Sequence, residues 1–148
     1  MSLFLSTFTN KVDAKSRVSV PAAFRGVVSK EDDSSIVLYR SFVNKCIEGC
    51  TLSRIEMISA SIDNLDPYSE ERDAFATLIL GECEQVKWDK DGRIVLSAKL
   101  LEYADIKSQA VFVGKGKSFE LWEPDLFAEH KVKIQEIAKK KRDMLKLH

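Results

Sequence analysis

Two stretches of this chain match at a fixed offset, and that match constrains the fold more than any other feature. Asn10–Arg25 returns as Val86–Leu101: Asp13 falls on Asp89, Arg17 on Arg93, Val18 on Ile94, Val20 on Leu96, Ala22 on Ala98 and Phe24 on Leu100, all 76 residues apart. Only three of the thirteen positions from Asp13 to Arg25 are identical, but the apolar pattern is kept, and the next apolar pair, Ile36-Val37, falls without a gap on Phe112-Val113. An internal repeat of this kind predicts one structural unit used twice.

Each copy reads as a polar turn, a short apolar strand and a helix. In the first, Val18–Val20 is followed by Pro21, whose fixed φ and missing N–H suit the start of a helix over Ala22–Val28. In the second, Asp91-Gly92 is a tight-turn dipeptide, Ile94–Leu96 is the strand, and Ser97 can cap a helix beginning at Ala98.

Around these motifs the chain falls into order. Phe4–Val12 alternates and reads as a strand with one buried face. Ser29–Ser35 is a solvated loop, followed by strands at Ile36–Tyr39 and Cys46-Ile47. Leu52, Ile55, Ile58, Ile62 and Leu65 form one helical stripe that ends before Pro67. Ser69 caps a second helix carrying Phe75, Leu78 and Ile79, stopped at Gly81. Strands follow at Cys83–Trp88, Ala110–Val113 and Ser118–Trp122. Pro124 opens a long helix with Phe127, Ile134, Ile137 and Leu145 near one stripe and a lysine-rich opposite face. The expected architecture is α+β, mainly β: a first repeat over 1–51, a helical connector over 52–81, a second repeat over 82–124 and a C-terminal helix over 125–148. Each half is too small to bury a sufficient core alone, so the halves share one or gain one by assembling.

Composition narrows the function. The 148 residues carry 23 basic and 23 acidic side chains, so no global charge marks a nucleic-acid binder. The charges are segregated: basic in Met1–Lys30, acidic in Glu31–Glu84 and basic again from Lys131, which permits one basic face on a neutral molecule. There is no membrane-length apolar run of about 18 residues and no secretion leader, and three cysteines, Cys46, Cys50 and Cys83, suit reduced thiols in the cytoplasm rather than a disulfide scaffold.

Several chemistries fail on spacing. Gly114–Ser118 looks like the end of a phosphate-binding loop, but Val111 stands where the motif needs glycine and a strand follows where it needs a helix, so it reads as a hairpin turn. The cysteines are too few for zinc without a histidine, and His130 and His148 lie far along the last helix. No nucleophile elbow or triad spacing is present. An Asp13/Asp89 dyad is opposed by an arginine four residues after each aspartate, which keeps the carboxylate ionised. No enzyme, cofactor, metal site or small-molecule substrate is expected.

Asp13–Ala22, Asp89–Arg93 and Phe119–Trp122 together resemble the MraZ family of bacterial transcriptional regulators, over nearly the whole chain. The resemblance implies two AbrB-like, swapped-hairpin halves of one small barrel, each with an Asp-x-x-x-Arg turn. It also implies ring-like homo-oligomers, a cytoplasmic and nucleoid-associated location, and binding of double-stranded DNA at repeats upstream of the division and cell-wall gene cluster. The chain departs from the family pattern at Ser16, where glycine is usual, and at Ser97, where proline is usual. Carried over, the motifs make Lys15 and Arg17 the leading DNA contacts, with Arg25, Lys11, Arg93 and Lys90 beside them, and Asp13 and Asp89 positioning the turns. Two alternatives stay open: Arg17 and Arg93 taken up entirely by pairs with their aspartates, and a structural or protein-binding oligomer on the same barrel without DNA readout. The charges around the turns favour the first repeat, with Lys11, Lys15, Arg17 and Arg25 against Asp13, over Lys87, Lys90 and Arg93 against Asp89 and Asp91.

Overall fold

Strands from the two ends of the chain interleave, and this fixes everything else. The computed structural model describes residues 2–31 and 35–147. In order the elements are β1 (Thr7–Lys11), β2 (Arg17–Ser19), α1 (Ala22–Ser29), β3 (Ser35–Arg40), β4 (Ile47–Cys50), α2 (Leu52–Asp63) and α3 (Glu70–Phe75), the last running into a π-helical turn at Ala76–Leu80. Then come β5 (Glu84–Lys87), β6 (Arg93–Val95), α4 (Ala98–Ala104), β7 (Gln109–Gly114), β8 (Phe119–Trp122) and α5 (Pro124–Lys141), with a 3-10 turn at Arg142–Met144. Six strands make one antiparallel sheet in the order β1-β7-β8-β4-β3-β5, and β2 and β6 make a separate two-stranded ribbon. The protein is therefore α+β, a large antiparallel sheet with five α-helices among the described residues.

Period-2 alternation gives the sheet two apolar faces. Ile36, Leu38, Ile47, Ala110, Phe112, Phe119 and Leu121 point inward with Val18 and Ile94 of the ribbon, Phe24 and Val28 of α1 and Leu100 and Ala104 of α4. Residues of both halves thus form one core, as their small size required. On the other face Val37, Tyr39 and Cys50 meet Ile55 of α2 and Ile79 of the π turn. Further along that face, Cys46, Val111 and Trp122 meet Leu126 and Phe127 at the start of α5.

Helix starts follow the local chemistry. Thr51, Ser69, Ser97 and Glu123 each accept a hydrogen bond from a first-turn N–H, of Arg54, Arg72, Leu100 and Leu126 respectively. Pro21 stands one residue before α1, in an extended conformation, rather than at the first helical position. Other expectations shift in extent. β1 is shorter than Phe4–Val12 because Ser6 adopts a φ of 75°, so Phe4 leaves the strand and bridges instead to Gly116. β4 extends beyond Cys46-Ile47 to Cys50. The second connector helix changes to π geometry, with Gly81 N–H bonding Ala76 O at 2.9 Å; a Cβ at Gly81 would sit 2.7 Å from Thr77 O. Gly114–Ser118 is the β7–β8 hairpin, with Gly116 at a φ of 90°. α5 stops at Lys141, so Leu145 lies past the helix. The expected loop at Ser29–Ser35 lies partly outside the described residues, at 32–34, as does His148.

Candidate nucleic-acid interface

The ribbon presents one face to the core and one to solvent. Its register pairs Arg17 with Val95, Val18 with Ile94 and Ser19 with Arg93. Val18 and Ile94 are fully buried, so alternation sends Arg17, Ser19, Arg93 and Val95 to the outer face. The two arginines are diagonal neighbours there, with Cα atoms roughly 7–8 Å apart for such a pair. Ser19 and Val95 were absent from the sequence-derived set although the same alternation marks them; Val95 is 57% exposed, high for an aliphatic strand residue. Asn10 is a further addition: its Nδ2 donates to Ser19 O at 2.7 Å and ties β1 to the ribbon.

A turn enters each ribbon strand, and the two turns are built alike. In the first, one oxygen of Asp13 accepts the N–H groups of Lys15 and Arg17, each at 2.9 Å, while the other accepts Arg17 Nε–H at 2.8 Å. In the second, Asp89 accepts the N–H groups of Asp91 at 2.9 Å and Arg93 at 3.0 Å. These bonds hold both aspartates below the ordinary carboxylate range, the Arg17 N–H being the largest cause at Asp13 and the Arg93 N–H at Asp89. Both carboxylates are ionised at neutral pH, unsuited to general-acid work. They are acceptors that shape a turn.

Each turn needs one residue at positive φ: Ser16 at 62° and Gly92 at 77°. Glycine takes this conformation freely, whereas a side chain costs about 1–2 kcal/mol there. Glycine also loses more chain entropy on folding, roughly 0.5–1 kcal/mol. Ser16→Gly is therefore expected to stabilise the protein by roughly 0.5–1 kcal/mol, the difference of those two effects. The midpoint of urea unfolding at fixed protein concentration measures it, and a lower midpoint contradicts the reading.

The arginines differ in how far they are committed. Arg17 uses Nε on Asp13, with both side chains 32% exposed, and among the described residues neither of its Nη atoms has a partner. Arg93 is flanked by two carboxylates: its Nε lies 3.3 Å from Asp89 without a hydrogen bond, and its Nη2 donates to Asp91 at 3.2 Å. Neither ion pair is buried, so neither arginine is sealed off from a ligand.

Arg25 is not where the repeat suggests. Its guanidinium lies over Gly92, where an added Cβ would come within 2.8 Å of Cζ, and its Nε donates to Val20 O at 3.2 Å. This side chain of the first half therefore joins the second turn, because the β2–β6 pairing places Val20 against Gly92, whose carbonyl bonds the Val20 N–H at 2.9 Å. The charge excess assigned to the first turn disappears. Lys11, Lys15 and Lys90 are exposed, so each turn presents a cation to solvent.

The other sequence candidates separate. Cys46 and Cys50 enter different apolar clusters, burial raises both thiols, Cys50 to about 12, and all three cysteines are free. His130 stacks on Trp122 at 4.5 Å between ring centroids. Among the described residues no three His, Cys, Asp or Glu side chains converge as metal ligands, and no helix is long and apolar enough to cross a membrane.

Comparison with known proteins shows the family. Residues 79–147 match the family described as "MraZ protein, putative antitoxin-like". A protein of Rickettsia akari (strain Hartford) named "Transcriptional regulator MraZ" is 49% identical over 146 residues, covering 99% of this chain and 98% of the relative. Proteins of the same name from Rickettsia canadensis (strain McKiel) and Rickettsia rickettsii (strain Sheila Smith) are 49% and 50% identical over 142 residues, covering 96% of this chain and 95% of each relative. The shared name describes a regulator of transcription and not an enzyme. With half of all positions shared over nearly its full length, the chain belongs to the MraZ family.

Proposed function

We propose that this protein is a transcriptional regulator that binds double-stranded DNA sequence-specifically through the outer face of the β2–β6 ribbon and its two turns, at repeated sites upstream of the division and cell-wall gene cluster. The observation that carries the reading is the pair of half-exposed arginines on one solvent face, flanked by exposed Lys11, Lys15 and Lys90. A two-stranded ribbon is narrow enough to enter the major groove of B-DNA, about 12 Å wide, where arginine reads the O6 and N7 edge of guanine with two hydrogen bonds. Arg25 and the lysines supply phosphate contacts, and Asp13 and Asp89 hold the turns. The family name of the relatives supports a regulator.

Within this reading the protein is two AbrB-like halves, 1–51 and 82–124, with exchanged hairpins, joined by the connector at 52–81 and followed by the helix at 125–148. Supporting it, the sheet order β1-β7-β8-β4-β3-β5 reads the same from either end once β1, β3 and β4 are exchanged for β5, β7 and β8. Each turn offers few cations, so strong binding requires a ring-like homo-oligomer meeting several DNA repeats at once, where effective concentration multiplies weak contacts. Action on the chromosome places the protein in the cytoplasm, on the nucleoid.

A gel shift of the full-length protein on the DNA upstream of its own gene, with shuffled DNA as control, tests the function; equal affinity for both DNAs removes sequence-specific regulation. The electrostatic part has its own measure. Each neutralised phosphate contributes a slope of about −0.9 to log affinity against log salt. With Arg25 over the second turn, Lys15→Gln and Lys90→Gln are expected to flatten the slope equally, in place of the first-turn dominance that the sequence suggests. A much larger effect at one lysine assigns the phosphate contacts to that turn alone.

A further inference from the structure

The outer face of the ribbon is not uniformly polar. Its side chains are Arg17 and Ser19 of β2 with Arg93 and Val95 of β6. Val95 stands 57% exposed there, and alternation turns its two methyl groups away from the core that Val18 and Ile94 enter. A single exposed aliphatic side chain is ordinary on a protein surface, and valine suits any strand. What gives Val95 a role is its register: it lies directly opposite Arg17, whereas Arg93 lies opposite Ser19. Ser19 and Val95 are counterparts at the offset of 76 residues, as Arg17 and Arg93 are. The two arginines are therefore alike by the repeat but face different neighbours across the ribbon, one apolar and one polar.

We infer that Val95 reads the C5-methyl group of a thymine in the major groove, beside the base that Arg17 reaches, which deepens the DNA reading above and rests on it. Thymine is the one base of the four that offers a methyl group in that groove, and an aliphatic side chain is its complement. The spacing fits. Directly opposite residues on paired strands have Cα atoms about 4.5–5.5 Å apart, and bases along one strand rise about 3.4 Å, so the two side chains meet the same or adjacent base steps. Arginine selects guanine by hydrogen bonds, and valine adds selection by removing from water a methyl group that guanine, cytosine and adenine lack. At the other arginine this contact has no equivalent, because the Ser19 hydroxyl is a donor and acceptor rather than an apolar surface. The ribbon thus reads different bases at its two ends. A side chain as short as valine touches a base edge only when the strand itself lies on the groove floor, a depth that arginine and lysine contacts alone do not require.

Replacing thymine by deoxyuridine removes only the C5-methyl group and leaves every hydrogen-bonding group in place. Binding of the full-length protein to the duplex upstream of its own gene, with each thymine replaced in turn, isolates the contact. The expected result is a position at which the natural protein binds the uracil duplex about fourfold more weakly, the effect of one methyl group returned to water. At that position Val95→Ser should bind the thymine and uracil duplexes equally; circular dichroism checks that the variant is folded, and Val95→Asn replaces it if it is not. Specific binding with no loss at any thymine overturns this contact while leaving the DNA reading in place. A loss that persists undiminished in the variant assigns the methyl group to another side chain and overturns it as well. Equal binding of the natural protein to the upstream and shuffled duplexes removes sequence-specific regulation itself and this contact with it.

Discussion

Phe24→Ala is expected to cost about 3–5 kcal/mol of folding stability, the usual range for emptying a fully buried phenylalanine site. Phe24 is completely buried, and its ring meets four others: Phe4 at 5.2 Å, Phe8 at 5.6 Å, Phe112 at 6.1 Å and Phe119 at 5.2 Å between centroids. Three of the contacts are edge-to-face or nearly so, the geometry that ring quadrupoles favour. The position is sensitive because the partners come from separate parts of the chain. Phe4 and Phe8 belong to the N-terminal segment and β1, Phe112 and Phe119 to β7 and β8, and α1 meets all four rings through this one side chain. The pocket cannot relax easily, since Phe119 is also pinned from behind: a Cβ at Gly49 would lie 2.4 Å from its ring.

The loss is a large share of a total stability of about 5–15 kcal/mol. At about 2–4 °C per kcal/mol for a chain of this size, the melting temperature should fall by roughly 6–20 °C. Phe24→Leu keeps most of the volume and is expected to cost much less, under about 1.5–2 kcal/mol. Chemical denaturation at one fixed protein concentration measures both, because the proposed assembly would make apparent stability concentration-dependent. Equal losses for alanine and leucine would show that ring geometry, not filled volume, is what the core requires at this position.

What the sequence made legible was local, and what it hid was non-local. Ser69 and Ser97 announced their helices because a capping hydroxyl bonds an N–H three residues away. The stripe from Leu52 to Leu65 announced α2 because its period needs no knowledge of the partner. The repeat announced two alike turns, and Asp13 and Asp89 do hold them with the same pattern of bonds. In contrast, the pairing of β1 with β7 and β3 with β5 depends on which strand arrives beside which, and strand alternation is the same for any partner. The bend at Ser6 and the π turn at Ala76–Leu80 have no glycine or proline inside the element to signal them. Arg25 shows the consequence for the site. Reading along the chain assigns it to the turn that precedes it, but the ribbon pairing carries the second turn to its guanidinium, and the charge comparison between the turns changes with it.

That change leaves the arginines themselves as the sharper difference between the two halves. Arg17→Ala is expected to weaken binding to the upstream DNA by about 1–3 kcal/mol per protomer, roughly 5- to 150-fold, if its fork reads a base. Its Nε is already oriented by Asp13, so the side chain is held in place while both Nη atoms remain available for two parallel hydrogen bonds. Little stability should be lost, since the pair is partly exposed and exposed pairs contribute little. Arg93→Ala should cost less affinity, because Arg93 Nη2 already bonds Asp91 and must leave that carboxylate to reach DNA. Arg17→Lys separates the two modes of contact: lysine keeps the charge that a phosphate needs but lacks the planar fork that guanine needs. Affinity restored by lysine assigns Arg17 to the backbone, and affinity lost as in alanine assigns it to a base. In an assembled ring every protomer carries the substitution, so the loss at tandem sites should exceed that at a single isolated site. Arg17→Ala that lowers the melting temperature strongly while DNA affinity per folded molecule stays unchanged would show the arginine to be a brace for its own turn.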